Sequence, residues 1–144
     1  MLIMGLDPDL PLVPTPPFRV RQRDVITGKV DPAVFYGYAL TRLQCAKWDF
    51  KRHNRSAFGT PGLGEPGRAL SEMGFHFPKD EVYFAMAYSN TPERDRLYMW
   101  VVGSNRNMAE LRRAHYMDER NKELMCEVLD LKFQEPQWHY KAPD

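Results

Sequence analysis

Between Asp31 and Leu131 the apolar residues of the chain recur mostly at intervals of three and four, the period of an amphipathic helix. Asp31-Pro32 reads as an N-cap followed by proline at the first helical position, opening a helix that runs to about Asn54. Phe35, Leu43, Ala46 and Phe50 fall on one face of it, and Tyr36, Leu40, Lys47 and Asn54 on the adjoining face. Aromatic residues lie almost all round, so such a helix needs more than one wall to pack against. Gly59, Gly62, Gly64 and Gly67, with Pro61 and Pro66, then break regular structure, and a short helical turn around Arg68 to Met73 follows. Pro78 suits the first position of a helix from Lys79 to Ser89 that buries Val82, Ala85 and Met86. Thr91-Pro92 repeats the cap signature before a helix whose stripe is Leu97, Val101, Ser104, Met108 and Leu111, with Gly103 as a point of interruption. A last helix, from about Met117 to Leu131, carries Met117, Leu124, Val128 and Leu131 along a seam, with Asp118 four residues before Lys122. No strand-like alternation persists for long, so the pattern predicts an all-α fold of about four helices.

Proline marks the boundaries. Ten of its twelve copies cluster at Pro8 to Pro17, Pro61 to Pro78 and Pro136 to Pro143, where they favour extended backbone. The chain thus divides into an extended, basic arm over residues 1–30, one helical domain over 31–132 with a Gly/Pro-rich loop at 55–78, and an extended tail over 133–144. The arm carries Leu10, Leu12 and Val13 with little of its own to pack on, and is expected either to be disordered or, the favoured option, to lie across another surface. A length of 144 residues suits a single domain, and 43% apolar with 27% charged residues is a globular composition.

Charge and cysteine narrow the class. Residues 19–55 hold nine basic residues against three aspartates, a local charge of +6 within a chain of net +1. Such a stretch suits a nucleic acid, an anionic lipid surface or an acidic protein partner. Cys45 and Cys126 both fall in helix-like patterns and read as reduced, buried thiols. No apolar run is long enough to span a membrane. With Asp7 and Asp9 among prolines, the N-terminus resembles neither a signal nor a transit peptide, so organelle import would rest on an uncleaved internal signal.

Candidate chemistry is sparse. Gly62-Leu63-Gly64-Glu65-Pro66-Gly67 spells the dinucleotide fingerprint, but Pro66 removes an amide, Glu65 adds negative charge and no hydrophobic strand precedes it. It reads as a plain loop. His53, His76, His115 and His139 stand apart from one another and from cysteine, so no metal site is expected. Asp80/Glu81 and Asp118/Glu119 sit in expected first turns, where they complement the helix dipole. The sequence therefore predicts no catalytic residue, no cofactor and no enzyme. Arg42, Lys51, Arg52 and Arg55 interleave with Trp48, Phe50 and Phe58 in a mixture that stacking platforms for nucleic acid also use, though a pI near 7.8 is not strongly basic.

Asn54-Arg55-Ser56-Ala57-Phe58 followed by Gly62-Leu63 resembles a stretch of the ubiquinol–cytochrome c reductase binding protein family, the 14 kDa matrix-side subunit of mitochondrial complex III. Val82 and Ala85, then Pro92-Glu93, Asp95-Arg96-Leu97-Tyr98 and Asn107-Met108 look like further landmarks of that family. The resemblance spans roughly residues 48–130 and departs from the family at Tyr88 to Thr91, at Met99 to Val102 and at Ala114 to Met117. It implies a soluble, four-helix, non-catalytic subunit on the matrix side of the mitochondrial inner membrane, bracing cytochrome b and the core subunits. Under it, Asp95 and Arg96 form a positioning ion pair, Phe58 and Tyr98 are packing anchors, and Arg42, Arg52 and Arg55 meet acidic partner surface or lipid head groups. Another large mitochondrial assembly, or a ribosomal or RNA-associated role, is the alternative.

Overall fold

A computed structural model describes residues 7–53, 66–132 and 134–143. Its elements, in order, are β1 (Val34–Leu40), α1 (Arg42–His53), α2 (Gly67–Gly74), β2 (Tyr83–Tyr88), β3 (Arg96–Ser104), α3 (Met108–His115), α4 (Glu119–Leu129) and β4 (Gln137–Tyr140). The strands form one antiparallel sheet in the order β2-β3-β1-β4, which overturns the all-α expectation. This is a split β-α-β arrangement in which each crossover carries a pair of helices.

The helical period fails where the sheet is covered on both faces. In β3 every residue from Met99 to Ser104 is buried, so polar residues do not alternate along it and its apolar spacing reads equally as a helix. β1 and β2 are rich in aromatic residues, which suit a pleated, packed surface. None of the three proline signatures starts a helix: Asp31-Pro32 leads into β1, and the other two mark turns. The Asp31 carboxylate accepts from the backbone of Gln22 at 3.0 Å, Pro78 opens a turn that receives Glu81 and Val82 at 3.1 and 2.9 Å, and Thr91 accepts from Arg94 at 2.9 Å. The first helix begins at Arg42. Its cap is reciprocal: Gln44 donates its backbone N–H to Thr41 Oγ1 at 3.1 Å while Thr41 N–H donates to Gln44 Oε1 at 2.8 Å.

Helices α1, α2 and α4 cover the outer face of the sheet. Tyr38, Leu40, Trp100 and Val102 meet Cys45 and Trp48 of α1, Ala69 and Met73 of α2, and Met125 and Leu129 of α4. The buried face of α1 is thus set by Cys45 and Trp48, while Leu43 and Phe50 of the expected stripe stay exposed. α3 lies along β3, where a Cβ on Gly103 would sit 2.4 Å from the Glu110 carbonyl oxygen, so only glycine permits the approach. The N-terminal arm packs on its own chain. Leu10 and Val20 join Val34, Leu111, Trp138 and Tyr140, and Tyr140 donates its hydroxyl to the Pro11 carbonyl at 2.8 Å.

The expected tail contains β4, which pairs with β1. Just beyond it Lys141 bridges Ala87, and Ala142 N–H donates to the Met86 carbonyl at 3.0 Å, so the two edges of the sheet meet. The enclosed inner face holds Phe35, Ala85, Ala87, Met99 and Val101, a set small enough for the sheet to curl around it. Gly37 serves the same curl, because a Cβ there would lie 2.1 Å from the Trp100 carbonyl oxygen. Opposite it the register slips and Val102 has no partner on β1, as in a β-bulge.

Candidate functional site

Polar groups gather at both ends of the curled sheet. At the end where β1 begins, Glu110 of α3 is 1% exposed. Asn107, the N-cap of α3, accepts the Glu110 N–H at 2.9 Å and so fixes where the side chain starts. Its Oε1 accepts from Tyr83 Oη at 2.5 Å and Ser104 Oγ at 3.2 Å, and its Oε2 from Asn107 Nδ2 at 3.0 Å and from Arg106 Nε. Burial alone would raise this carboxyl, but the bonds from Tyr83, Arg106 and Ser104 and the charge of Arg106 hold it below the ordinary value. Burial and the bond to Glu110 push the Tyr83 phenol up. With four donors around one carboxylate, this end is a satisfied plug.

The other end is open. A cavity of about 550 Å³ lies between the end of β1, the β2–β3 turn and the segment leading into β4. Small residues on the inner face, Gly37 and Ala39, leave the space, and His139 of β4 lines it. His139 is 5% exposed and lies on the inner face, because its cross-strand partner is Phe35. Its Nδ1 lies 2.9 Å from the Tyr88 carbonyl oxygen, which only accepts, so Nδ1 carries the proton and Nε2 keeps a lone pair. No described residue bonds Nε2. Burial lowers the affinity of this imidazole for a second proton more than the Tyr88 carbonyl restores it, so it is neutral at pH 7.

The turn at the rim is built by its own polar side chains. Asp95 N–H donates to Ser89 Oγ at 2.9 Å, Ser89 N–H donates to the Asp95 carbonyl at 2.7 Å, and Ser89 Oγ lies 2.7 Å from Thr91 Oγ1. Asn90 Nδ2 donates to the Trp138 carbonyl at 3.0 Å, which ties the turn to β4. The Asn90 Oδ1 is buried without a partner. Asp95 and Glu135 are the charged residues of the lining. Glu135 is paired with Lys122 at 2.9 Å, whereas the Asp95 carboxylate has no ion-pair partner among the described residues.

No family model, curated protein or solved structure matches the chain. The chemistry of the site therefore rests on its own geometry.

The residues singled out by sequence scatter over the molecule. Asp95, just before β3, lines the open mouth, but its expected ion pair with Arg96 is not found among the described residues, because the Arg96 guanidinium donates to the Pro143 carbonyl instead. Tyr98 packs on the outer core and stacks against Phe84 at 6.3 Å. Arg52 clamps α1 to α4, bonding Asp130 at 2.8 Å and the Val128 carbonyl at 3.2 Å while lying 3.8 Å over the Trp48 ring. Arg42 is exposed in the first turn of α1. Arg55 and Phe58, and most of the glycine fingerprint, lie outside the described residues. The V-x-x-A and D-R-L-Y landmarks of the resemblance, placed on helices by expectation, fall at or within strands β2 and β3. Among the described residues no cluster of three or more His, Cys, Asp or Glu could hold a metal ion. Burial pushes the Cys45 thiol up to about 11, which makes it unreactive.

Spacing to other metal ligands, the pattern by which a histidine site shows in a sequence, does not reveal His139. The usable signal is local: in Trp138-His139-Tyr140 one polar residue sits between two aromatic ones, so in a strand it occupies the opposite face.

Proposed function

We propose that the protein binds a small cationic ligand, an amine, in the mouth of the curled sheet, with His139 Nε2 as proton acceptor and Asp95 as counter-charge. The observation that carries the reading is the buried, neutral His139 with a fixed tautomer and an unoccupied lone pair on the cavity wall. Among the described residues no lysine or arginine lines the mouth, so the charged groups that a ligand would meet there are the carboxylates of Asp95 and Glu135. An ammonium group would donate to both His139 and Asp95. At pH 7 the neutral imidazole is also poised to remove an acidic proton from a bound molecule, the role of a general base.

Calorimetric titration with a panel of small primary amines and matched carboxylates tests this. Saturable amine binding is expected, weakened about tenfold or more in Asp95→Asn, as loss of one charge-assisted hydrogen bond implies. Equal binding of carboxylates, or amine binding untouched by Asp95→Asn, contradicts it.

A second reading, the accessory subunit of complex III or another respiratory assembly, draws on a different observation. Phe18, Val25 and Ile26 of the basic arm are 87%, 97% and 92% exposed, more than an isolated chain needs to leave in water. The structure has strands at that family's helical landmarks, which weakens this reading as a family assignment. Co-purification of cytochromes b and c with the tagged chain would favour it, and a bare monomer would remove it.

A further inference from the structure

A second concavity, of about 580 Å³, lies on the outer side of the sheet between the turn after α2, the last turn of α3, and α4. Its floor is apolar, with Phe77, Val82, Val102, Met117, Met125 and Val128. Leu124, half exposed, and Tyr116, 82% exposed, extend that apolar surface to the rim. Two guanidinium groups stand on the α3 wall. Arg113 donates its Nε to the carbonyl of Val102 at 3.3 Å, the residue that the register slip leaves unpaired, and this bond leaves both terminal nitrogens available. Arg112 is exposed and has no ion-pair partner among the described residues. Among the described lining residues Glu81 is the one carboxylate and His76 the one imidazole. Basic residues in a last helical turn suit the helix dipole, which explains their charge but not the apolar floor beside them.

We propose that this groove binds a small amphipathic carboxylate, a medium-chain alkyl acid, with its chain on the apolar floor and its head group held by Arg112 and Arg113. Guanidinium matches a carboxylate with parallel N–H donors, and the volume lies in the usual range for small ligands. The groove is separate from the mouth that holds His139, sharing no described lining residue with it.

Titration of the full chain with decanoate below its micellar concentration, against decanol and decyltrimethylammonium, tests the proposal. One saturable decanoate site is expected, with decanol about tenfold weaker or worse and the ammonium amphiphile weaker still. Arg112→Gln should weaken decanoate about tenfold or more, and Arg112→Lys less, while Asp95→Asn leaves it unchanged. Absence of a decanoate site, equal affinity for decanol, or unchanged affinity in Arg112→Gln overturns it. If Arg112→Gln fails to fold, Leu124→Glu at the exposed rim supplies the same decision: lost decanoate binding supports the groove and unchanged binding overturns it.

Discussion

At the scale of the residue, two buried polar side chains have opposite fates. Glu110 is tolerated in the interior because each oxygen receives two hydrogen bonds, so the desolvation of its charge is offset by fixed donors. Glu110→Ala strands the Tyr83 and Ser104 hydroxyls and should cost about 3 kcal/mol in chemical denaturation. Because the folded state lowers this carboxyl, the stability it contributes is present above its unfolded value of about 4.5 and is lost as pH falls through the lower folded one. Glu110→Gln should therefore flatten the acid limb of the stability profile, and an unchanged acid limb contradicts the role. His139 differs in that no described residue bonds its Nε2, which is what marks its cavity as the candidate site.

At the scale of the element, close approach decides. The contact of α3 with β3 depends on Gly103, where an added methyl would fall within 2.7 Å of Ala114 N and nearer still to the Glu110 carbonyl. Gly103→Ala should destabilise the protein by about 2 kcal/mol or more, because backbone cannot yield as a flexible side chain can. A thermal shift below one degree would show that α3 packs differently. Helices α2 and α4 were legible in the sequence, α4 through Asp118, whose carboxylate caps it by accepting from Asn121 at 2.8 Å. The second half of the first expected helix survives as α1. Thr41-Arg42-Leu43-Gln44 carried the true start signal as a capping box, but Asp31-Pro32 offered an earlier and equally valid one. The strands were not legible, because Met99 to Ser104 are buried on both faces and lose the alternation that identifies a half-covered strand. Asp95 of the candidate site is legible in the sequence only as one half of an ion pair, and His139 only as an isolated histidine, since nothing in its spacing tells that β4 folds it against β2.

At the scale of the whole molecule, the sheet is closed by a few bonds near the C-terminus. Lys141 N–H donates to the Ala33 carbonyl and Ala142 N–H to Met86, at 2.9 and 3.0 Å, so the last residues join both edges. That closure turns the inner face, with Phe35, Met99 and Val101 among small residues, into an interior with a polar mouth lined by His139. The arm reinforces it from outside, with His115 Nε2 at 2.7 Å from the Pro17 carbonyl and Arg94 donating to Leu10 at 3.2 Å. Charge is segregated accordingly: carboxylates rim the mouth, and the guanidiniums of α3 rim the outer groove.

The most direct test of this account is nitrogen-resolved NMR of the His139 ring across pH 5 to 8, without and with the amine that binds tightest. The structure predicts a neutral ring protonated at Nδ1, titrating below the ordinary 6.5, with the Nε2 resonance moving when the amine is added. The neutral preference would contribute stability above about pH 6.5 and lose it as pH falls towards the lower folded value. An imidazolium at pH 7, a proton on Nε2, or an Nε2 resonance indifferent to the amine would contradict the central claim.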